Sequence, residues 1–147
     1  ERFKQVIGAE PRLTRLSQGM RFVSRQEREI LAIPQRQLVL VREIVMGDET
    51  KNWLFARTLV PLQTLKGSAR RIAMLDDTPI GKILFGRQGA QRREMQLTLS
   101  DEHPLGLVNL LNDNSPQLWQ RRSIFDFSSG PLLLNEIFLP DCPLYDF

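Results

Sequence analysis

The sequence predicts an α+β domain that is built on a single antiparallel β-sheet, with helices packed against one of its faces. Apolar runs of strand-like composition recur along the chain, and short polar turns join several of them. Two or three segments with helical spacing lie between these runs. The 147 residues have the length of one ordinary domain, and no internal repeat or linker divides them. We therefore expect a single domain over residues 1–147.

The first strand is predicted from a weak alternation of apolar and polar side chains over residues 12–23. Gly19 lies inside this run and predicts a bulge or a turn. Residues 26–33 form a short segment of mixed apolar and polar residues. Pro34 ends them, because the residue before a proline avoids the helical region.

The clearest element is a predicted antiparallel hairpin. Residues 37–46 are rich in β-branched side chains, and residues 53–60 form a second apolar run that ends at Pro61. Residues 47–52 between them are polar turn material, so the two runs should pair as neighbours.

The predicted helices occupy the middle of the chain. Residues 61–77 have roughly helical apolar spacing, although Gly67 weakens or breaks the segment. Thr78 can cap a second, short helix, Pro79 suits its first turn, and Gly86 or Gly89 can end it.

Three strands are predicted in the last third of the chain. Residues 91–100 alternate as a half-buried strand, and residues 101–117 hold a loop and an apolar stretch. Residues 118–127 and 132–139 form the last two strands, which a turn over residues 128–131 joins.

The rare residues exclude several kinds of site. With one cysteine, Cys142, the chain has no intramolecular disulfide and no cysteine zinc site. The single histidine, His103, excludes a multi-histidine metal site, so we expect no metal. No run of about 20 apolar residues is present, so we expect no membrane span. No signal peptide is visible and a single cysteine fits a reducing compartment, so the expected compartment is the cytoplasm.

The charge balance gives no strong reason to expect nucleic acid. Lys and Arg number 20 against 17 Asp and Glu, so the formal net charge is +3. The basic pairs at residues 70–71, 92–93 and 121–122 are far apart in sequence, and no nucleic-acid-binding motif accompanies them. We interpret the basic residues as a solvated face.

Three ionisable residues, Arg42, Arg57 and Glu136, lie inside apolar strand sequences, where an unpaired charge is costly to bury. Each one taken alone is most simply placed on the outer face of a one-sided sheet, and Arg42 could pair with Glu136 across neighbouring strands. Glu43 should point to the face opposite Arg42 and be exposed. The functional alternative is an apolar pocket for a small organic anion. There an arginine would bind a carboxylate bidentately, and a glutamate would hold a hydroxyl or transfer a proton.

Five segments, taken in their order along the chain, resemble the chorismate–pyruvate lyase family. They are residues 40–44, 53–61, 78–81, 118–123 and 131–140. A Pro-Leu-Tyr ending follows at residues 143–145, so the similarity runs from about residue 1 to residue 145. The resemblance is nearer to the cyanobacterial and plastid branch of the family.

The resemblance implies a lyase that converts chorismate into 4-hydroxybenzoate and pyruvate without metal or cofactor, for ubiquinone or plastoquinone biosynthesis. It also implies that flap helices close an internal ligand cavity. Arg42 and the main-chain N–H of Ile80 would bind the ring carboxylate, and Glu136 would bind the ring hydroxyl. Arg57 matches a second family arginine near the cavity. The family has Leu where this chain has Ile80, which a main-chain contact tolerates, and a further main-chain contact matches a position upstream of Glu1.

The alternative function is a non-catalytic sensor, because the ligand domains of some bacterial transcription regulators resemble this fold. Such a regulator carries a helix-turn-helix, and none is present in these residues. The expected partners are therefore chorismate and 4-hydroxybenzoate, without nucleic acid, and the expected state is a monomer.

Overall fold

One six-stranded antiparallel sheet forms the centre of the protein in a computed structural model, which describes residues 11–86, 89–104, 107, 111 and 117–146. The strand order is β1-β2-β3-β6-β5-β4, and each strand pairs antiparallel with its neighbours. The strands are β1 (Arg12–Arg21), β2 (Val39–Gly47), β3 (Asn52–Pro61), β4 (Gln91–Ser100), β5 (Leu118–Phe127) and β6 (Gly130–Phe138). The predicted α+β class and the predicted hairpin of β2 and β3 are confirmed.

Four short helical elements accompany the sheet in the described part of the chain. They are α1 (Arg25–Leu31), a 3-10 helix (Gly67–Met74), α2 (Gly81–Leu84) and a C-terminal 3-10 helix (Pro143–Asp146). Among the described residues, no helix has the length and apolar character needed to cross a membrane.

Helices cover both faces of the sheet, whereas the sequence predicted one. We call the face that carries Leu40 and Ile44 the front face; the first 3-10 helix packs there through Ala69 and Ile72. On the back face, Leu31 of α1 packs against buried residues of β2, β3 and β6, namely Val39, Val41, Leu59 and Leu133. Nearly every residue of β2 and β3 is buried, so both sides of these central strands need cover.

Helix α1 begins with a capping box, a feature that the sequence reading missed. The Glu27 N–H donates to the Ser24 Oγ over 3.2 Å, and the Ser24 N–H donates to the Glu27 Oε1 over 3.2 Å. The helix ends at Ala32, which adopts a left-handed conformation with φ of 54°. The spacing Ser-x-x-Glu over residues 24–27 is the signal that would have predicted this helix.

Two local predictions are wrong in position. The bulge of β1 lies between Arg15 and Ser17, not at Gly19. Helix α2 begins at Gly81, and Ile80 rather than Thr78 occupies the position before it. The short helix therefore exists, but it starts after the residues that were expected to cap it.

Strand β4 is exposed along its length, although its alternating pattern predicted a half-buried strand. Met95, Leu97 and Leu99 are each about half exposed, at 53%, 57% and 47%. The alternation itself is real, but β4 is the last strand in the sheet order, and no described helix packs on it.

Candidate functional site

The strand register places Arg42 and Glu136 on the front face. Arg42 lies opposite Thr58 of β3, and Glu136 of β6 lies opposite Ala56 of β3. Thr58 and Ala56 are two residues apart, so their side chains and those of their partners share one face. Two strand spacings and two residue rises separate the Arg42 and Glu136 Cα atoms by about 12 Å. The two residues therefore do not form the cross-strand ion pair that was one reading of the sequence.

Arg42 is a buried cation that lacks a carboxylate partner in the described part of the chain. Its exposed fraction is 1%, and its Nη2 donates to the carbonyl oxygens of Asp76 at 3.0 Å and Thr78 at 2.9 Å. Its Nε is buried with no acceptor, and none of the ion pairs between described residues includes it. A buried donor of this kind is costly unless a ligand supplies the acceptor.

The surroundings of Arg42 lower the pKa of its guanidinium. Burial is the main cause, followed by the positive charge of Arg15, while Asp77 and Asp76 act in the opposite direction. An incoming anion would relieve both effects, because it would replace lost hydration and offset the neighbouring charge. The electrostatics therefore favour an anion beside this side chain.

The segment that follows the first 3-10 helix is held over Arg42 by polar contacts. The backbone N–H of Arg15 donates to the Asp77 Oδ1 over 3.2 Å, and the Arg15 Nη1 lies 3.3 Å from the Asp76 Oδ1. Asp76 is left-handed, with φ of 49°. Ile80 follows two residues after Thr78, whose carbonyl Arg42 holds, so the structure brings the Ile80 main chain close to Arg42. Among the described residues, the Ile80 N–H makes no backbone hydrogen bond outside the helices and strands.

Glu136 forms a two-point ion pair with Arg121 of the neighbouring strand. The Arg121 Nε donates to the Glu136 Oε1 over 2.8 Å, and the Arg121 Nη2 donates to the Glu136 Oε2 over 3.0 Å. Glu136 is 9% exposed, and the Arg121 side chain is 33% exposed. The pKa of Arg121 is raised by the hydrogen bond to Glu136, which outweighs the effect of burial. The pair fixes the carboxylate in one orientation.

The sequence reading missed Arg121 as a site residue. Arg121 has the same parity on β5 as Ser123 and Phe125, and this parity faces the front. The sequence therefore contained a signal for Arg121, because alternate residues of a predicted strand face the core and Arg121 is one of these residues.

Arg57 lies on the back face, away from Arg42 and Glu136. It lies opposite Glu43, and its Nη1 donates to the Glu43 Oε2 over 3.0 Å. Its Nε and Nη2 donate to the two carboxylate oxygens of Glu27 over 2.8 and 3.2 Å. The structure therefore does not bring Arg57 together with the other predicted site residues.

The back-face cluster of Glu27, Glu43 and Arg57 has its own electrostatic effects. Although burial alone would raise the pKa of Glu27, the hydrogen bonds and charge of Arg57 lower it overall. The expectation that Glu43 is exposed is wrong, because its exposed fraction is 5% and it also accepts from the Ser17 Oγ at 3.2 Å. Glu43 does lie on the sheet face opposite to that of Arg42, as expected. Its hydrogen-bond partners are Arg57 on β3 and Ser17 on β1.

Two further polar atoms on the front face are buried without a partner in the described residues. They are the Gln18 Oε1, on the strand beside Arg42, and the Ser123 Oγ, on β5. Gln18 lies directly opposite Arg42, and its Nε2 donates to the Ala73 carbonyl over 2.8 Å. Unsatisfied polar atoms on one apolar face mark the place where a polar ligand would bind. No sequence pattern pointed to Gln18.

Two surface depressions lie elsewhere on the molecule. One has a volume of about 470 Å³ and runs between residues 34–38 and 62–66. The other, of about 150 Å³, lies at the turn between β2 and β3. Neither is lined by Arg42, Ile80 or Glu136, so a closed cavity under flap helices stays a prediction.

The described residues contain no cluster of three His, Cys, Asp or Glu side chains that could hold a metal ion. Among these residues, the Arg42 Nε is a donor without an acceptor, and the carbonyl oxygens beside it already accept from Arg42, so the site suits a carboxylate ligand better than a cation. The arrangement can therefore bind a small anion at Arg42 and a hydroxyl at Glu136.

Comparison with known sequences identifies related proteins. A family model described as chorismate lyase matches residues 1–147. A probable chorismate pyruvate-lyase of Methylococcus capsulatus is 32% identical over 140 residues, which cover 95% of this chain and 86% of that protein. A chorismate pyruvate-lyase of Yersinia enterocolitica is 36% identical over 126 residues, which cover 84% of this chain and 66% of that protein.

Comparison with solved structures shows a shared fold with proteins of low sequence identity. The PhnF C-terminal domain superposes with a TM-score of 0.71 at 15% identity, over 92% of this chain and 86% of that one. The ligand-binding domain of a putative GntR-family transcriptional regulator from Bordetella bronchiseptica gives 0.64 at 15% identity, over 91% and 87%. These likenesses concern the fold alone.

Proposed function

This chain belongs to the chorismate lyase family, and from that membership we infer that it is a chorismate pyruvate-lyase, which eliminates pyruvate from chorismate and leaves 4-hydroxybenzoate. The structural observation that carries the proposal is Arg42, a buried guanidinium without a carboxylate partner in the described residues, on the same sheet face as Glu136. We propose that the product supplies a quinone biosynthetic pathway.

We propose that the substrate ring lies across β3, between Arg42 and Glu136. The ring carboxylate would accept hydrogen bonds from Arg42 and from the main-chain N–H of Ile80. The hydroxyl, which is para to this carboxylate, would donate to Glu136 on β6. Ala56 and Thr58 of β3 lie between the two charged residues, so the ring would rest on the middle of the sheet.

The proposed reaction is an elimination that makes the ring aromatic. The C4–H bond breaks and its proton goes to a base, and the C3–O bond breaks as enolpyruvate leaves. Enolpyruvate then takes up a proton on carbon to become pyruvate. We assign the ring hydroxyl and the proton transfer to Glu136, which Arg121 holds in place. Low exposure at Arg42 and Glu136 strengthens both contacts, because electrostatic interactions weaken in water.

Product retention is a consequence of the same contacts. The aromatic product keeps both the ring carboxylate and the ring hydroxyl, so it would hold Arg42 and Glu136 as the substrate does. We therefore expect 4-hydroxybenzoate to bind the free enzyme and inhibit it competitively.

The test supplies chorismate to the purified protein and measures both products. Pyruvate is followed by lactate dehydrogenase and NADH, and 4-hydroxybenzoate by chromatography. We expect equal amounts of the two products, and we expect the Arg42→Ala variant to lose turnover and product affinity. Unchanged turnover and unchanged product affinity in this variant would contradict the assignment. Binding of 4-hydroxybenzoate by the wild type without any turnover of chorismate would favour the sensor function instead.

We further propose that the protein acts as a cytoplasmic monomer on this small-molecule substrate and does not bind nucleic acid. Size-exclusion chromatography with light scattering should give the mass of one chain, whereas the mass of two would contradict the monomer. The absence of retention on heparin at physiological salt is the result expected for the dispersed basic residues.

A further inference from the structure

Chorismate carries a second carboxylate that the contacts above leave without a partner. It belongs to the enolpyruvyl group on C3, next to the hydroxyl-bearing C4. If the ring carboxylate binds Arg42 and the hydroxyl binds Glu136, the enolpyruvyl group leaves the ring beside Glu136. A carboxylate that is removed from water needs a cation or several donors. A cation of this chain should therefore lie at the Glu136 end of the site.

The strand register narrows the choice among the described strand arginines. Arg15 lies on β1, at the ring-carboxylate end, and its guanidinium meets Asp76. Arg92 faces the front, but its guanidinium lies 5.1 Å from the centre of the Phe125 ring, four residues along β5 from Arg121. Arg57 lies on the back face between two carboxylates. Arg121 is the strand arginine next to Glu136 on the front face.

The contacts of Arg121 leave part of its guanidinium available. Its Nε and Nη2 donate to Glu136, whereas in the described part of the chain its Nη1 has no acceptor. The side chain is 33% exposed, and its guanidinium carbon lies 5.9 Å from the centre of the Phe138 ring. The guanidinium is therefore held in a fixed orientation by a carboxylate on one edge and an aromatic ring nearby, and it stays accessible from the front.

We propose that Arg121 binds the enolpyruvyl carboxylate of chorismate through Nη1, while Nε and Nη2 keep Glu136 beside the ring hydroxyl. This inference rests on the proposed function, and it makes Arg121 a residue that distinguishes substrate from product. The substrate has the second carboxylate and 4-hydroxybenzoate does not. Once the C3–O bond breaks, the contact with Arg121 belongs to the departing enolpyruvate, so it no longer holds the aromatic product.

The test uses two ligands that differ in this carboxylate and share the ring, the ring carboxylate and the 4-hydroxyl. They are 3-(carboxymethoxy)-4-hydroxybenzoate and 3-methoxy-4-hydroxybenzoate, and their dissociation constants are measured by calorimetry. The ratio of the two constants isolates the second carboxylate, because any disturbance of Glu136 acts on both ligands. We expect the wild type to prefer the carboxymethoxy ligand. A wild type without this preference would overturn the proposal before any variant is made.

The variants then assign the preference to one side chain. We expect Arg121→Gln to reduce the preference about 10- to 100-fold, the size of one hydrogen bond to a charged group. Arg121→Lys keeps the positive charge and should retain part of the preference. Arg122→Gln is the matched control, since Arg122 is the next residue of β5 and faces the back. It should leave the ratio unchanged.

An unchanged ratio in Arg121→Gln, or an equal fall in Arg122→Gln, would overturn the role of Arg121. These results are distinct from failure of the proposed function, which would appear as a wild type that releases no pyruvate from chorismate. A wild type that turns over chorismate while Arg121→Gln keeps the ligand preference would refute this inference and leave the proposed function standing.

Discussion

Replacing Arg42 and Arg57 by methionine should give opposite results, although both are buried strand arginines. Arg42 has no carboxylate partner in the described residues and donates to two carbonyl groups of exposed residues, Asp76 and Thr78. Water can replace the guanidinium at these carbonyls. Removal of the guanidinium leaves no opposite charge among the described residues buried and unpaired, which is the cost that makes breaking a buried ion pair destabilising. We therefore expect Arg42→Met to change the free energy of unfolding by no more than about 1 kcal/mol.

The same variant should lose ligand binding. Two hydrogen bonds from the guanidinium to the ring carboxylate are worth about 1.5–3 kcal/mol each, or about 3–6 kcal/mol together. The affinity for 4-hydroxybenzoate should therefore fall about 10²- to 10⁴-fold. Titration calorimetry measures this affinity, and urea unfolding measures the stability of the same sample.

Arg57→Met should show the reverse pattern. It leaves the partly buried carboxylate of Glu27 and the buried carboxylate of Glu43 without their common partner, and losing one member of a buried ion pair costs about 3–5 kcal/mol. Below the unfolding transition, product affinity should stay within about threefold of wild type, a difference that corresponds to less than about 1 kcal/mol. Two results would refute this reasoning: Arg42→Met that binds product as the wild type does, or Arg57→Met that loses binding while its stability is unchanged. The second would restore Arg57 as a ligand contact.

Three further variants test the supporting structure. Ser24→Ala removes the cap of α1 and should lower the free energy of unfolding by about 1 kcal/mol in urea, whereas no loss would mean that the capping box contributes little. Because the pKa of Glu27 is lowered in the fold, its ion pair stabilises the protein at pH values above the ordinary carboxyl pKa. This stabilisation is lost as the pH falls through the lowered pKa. Glu27→Gln should therefore reduce the loss of stability on acidification below the ordinary carboxyl pKa, and an identical pH profile would contradict this. Gly130 has φ of +146°, and a Cβ there would lie 2.5 Å from the Thr64 Oγ1, so Gly130→Ala should lower the melting temperature, while Gly19→Ala, where the nearest atom is 3.9 Å away, should not.

Much of the sheet could be predicted from the sequence because strand patterns are local. The hairpin of β2 and β3 has two apolar runs around one polar turn, and neighbours in sequence became neighbours in the sheet. The burial of β4 could not be predicted in this way. Its alternation is the same as that of a half-buried strand, but its place at the end of the sheet order depends on distant pairing.

The same contrast between local patterns and distant pairing applies to the site residues. Arg42, Arg57 and Glu136 are equally conspicuous in the sequence as charges among apolar residues. Which of them share a face depends on how β2, β3 and β6 align, and that register is set by the whole sheet. The partners Glu27 and Arg121 lie 30 and 15 residues away from the side chains they bind, so local spacing does not predict which side chain each of them binds.

The adjacency of Arg42 and Glu43 on β2 has a consequence for folding fidelity. If β2 were misaligned by one residue against β3, its side chains would exchange faces. Arg42 would then lie beside Arg57, and Glu43 would face the carbonyl oxygens that Arg42 now holds. Both contacts would be electrostatically repulsive. The neighbouring opposite charges of Arg42 and Glu43 therefore disfavour the misaligned hairpin. An entirely apolar strand would not impose this electrostatic penalty.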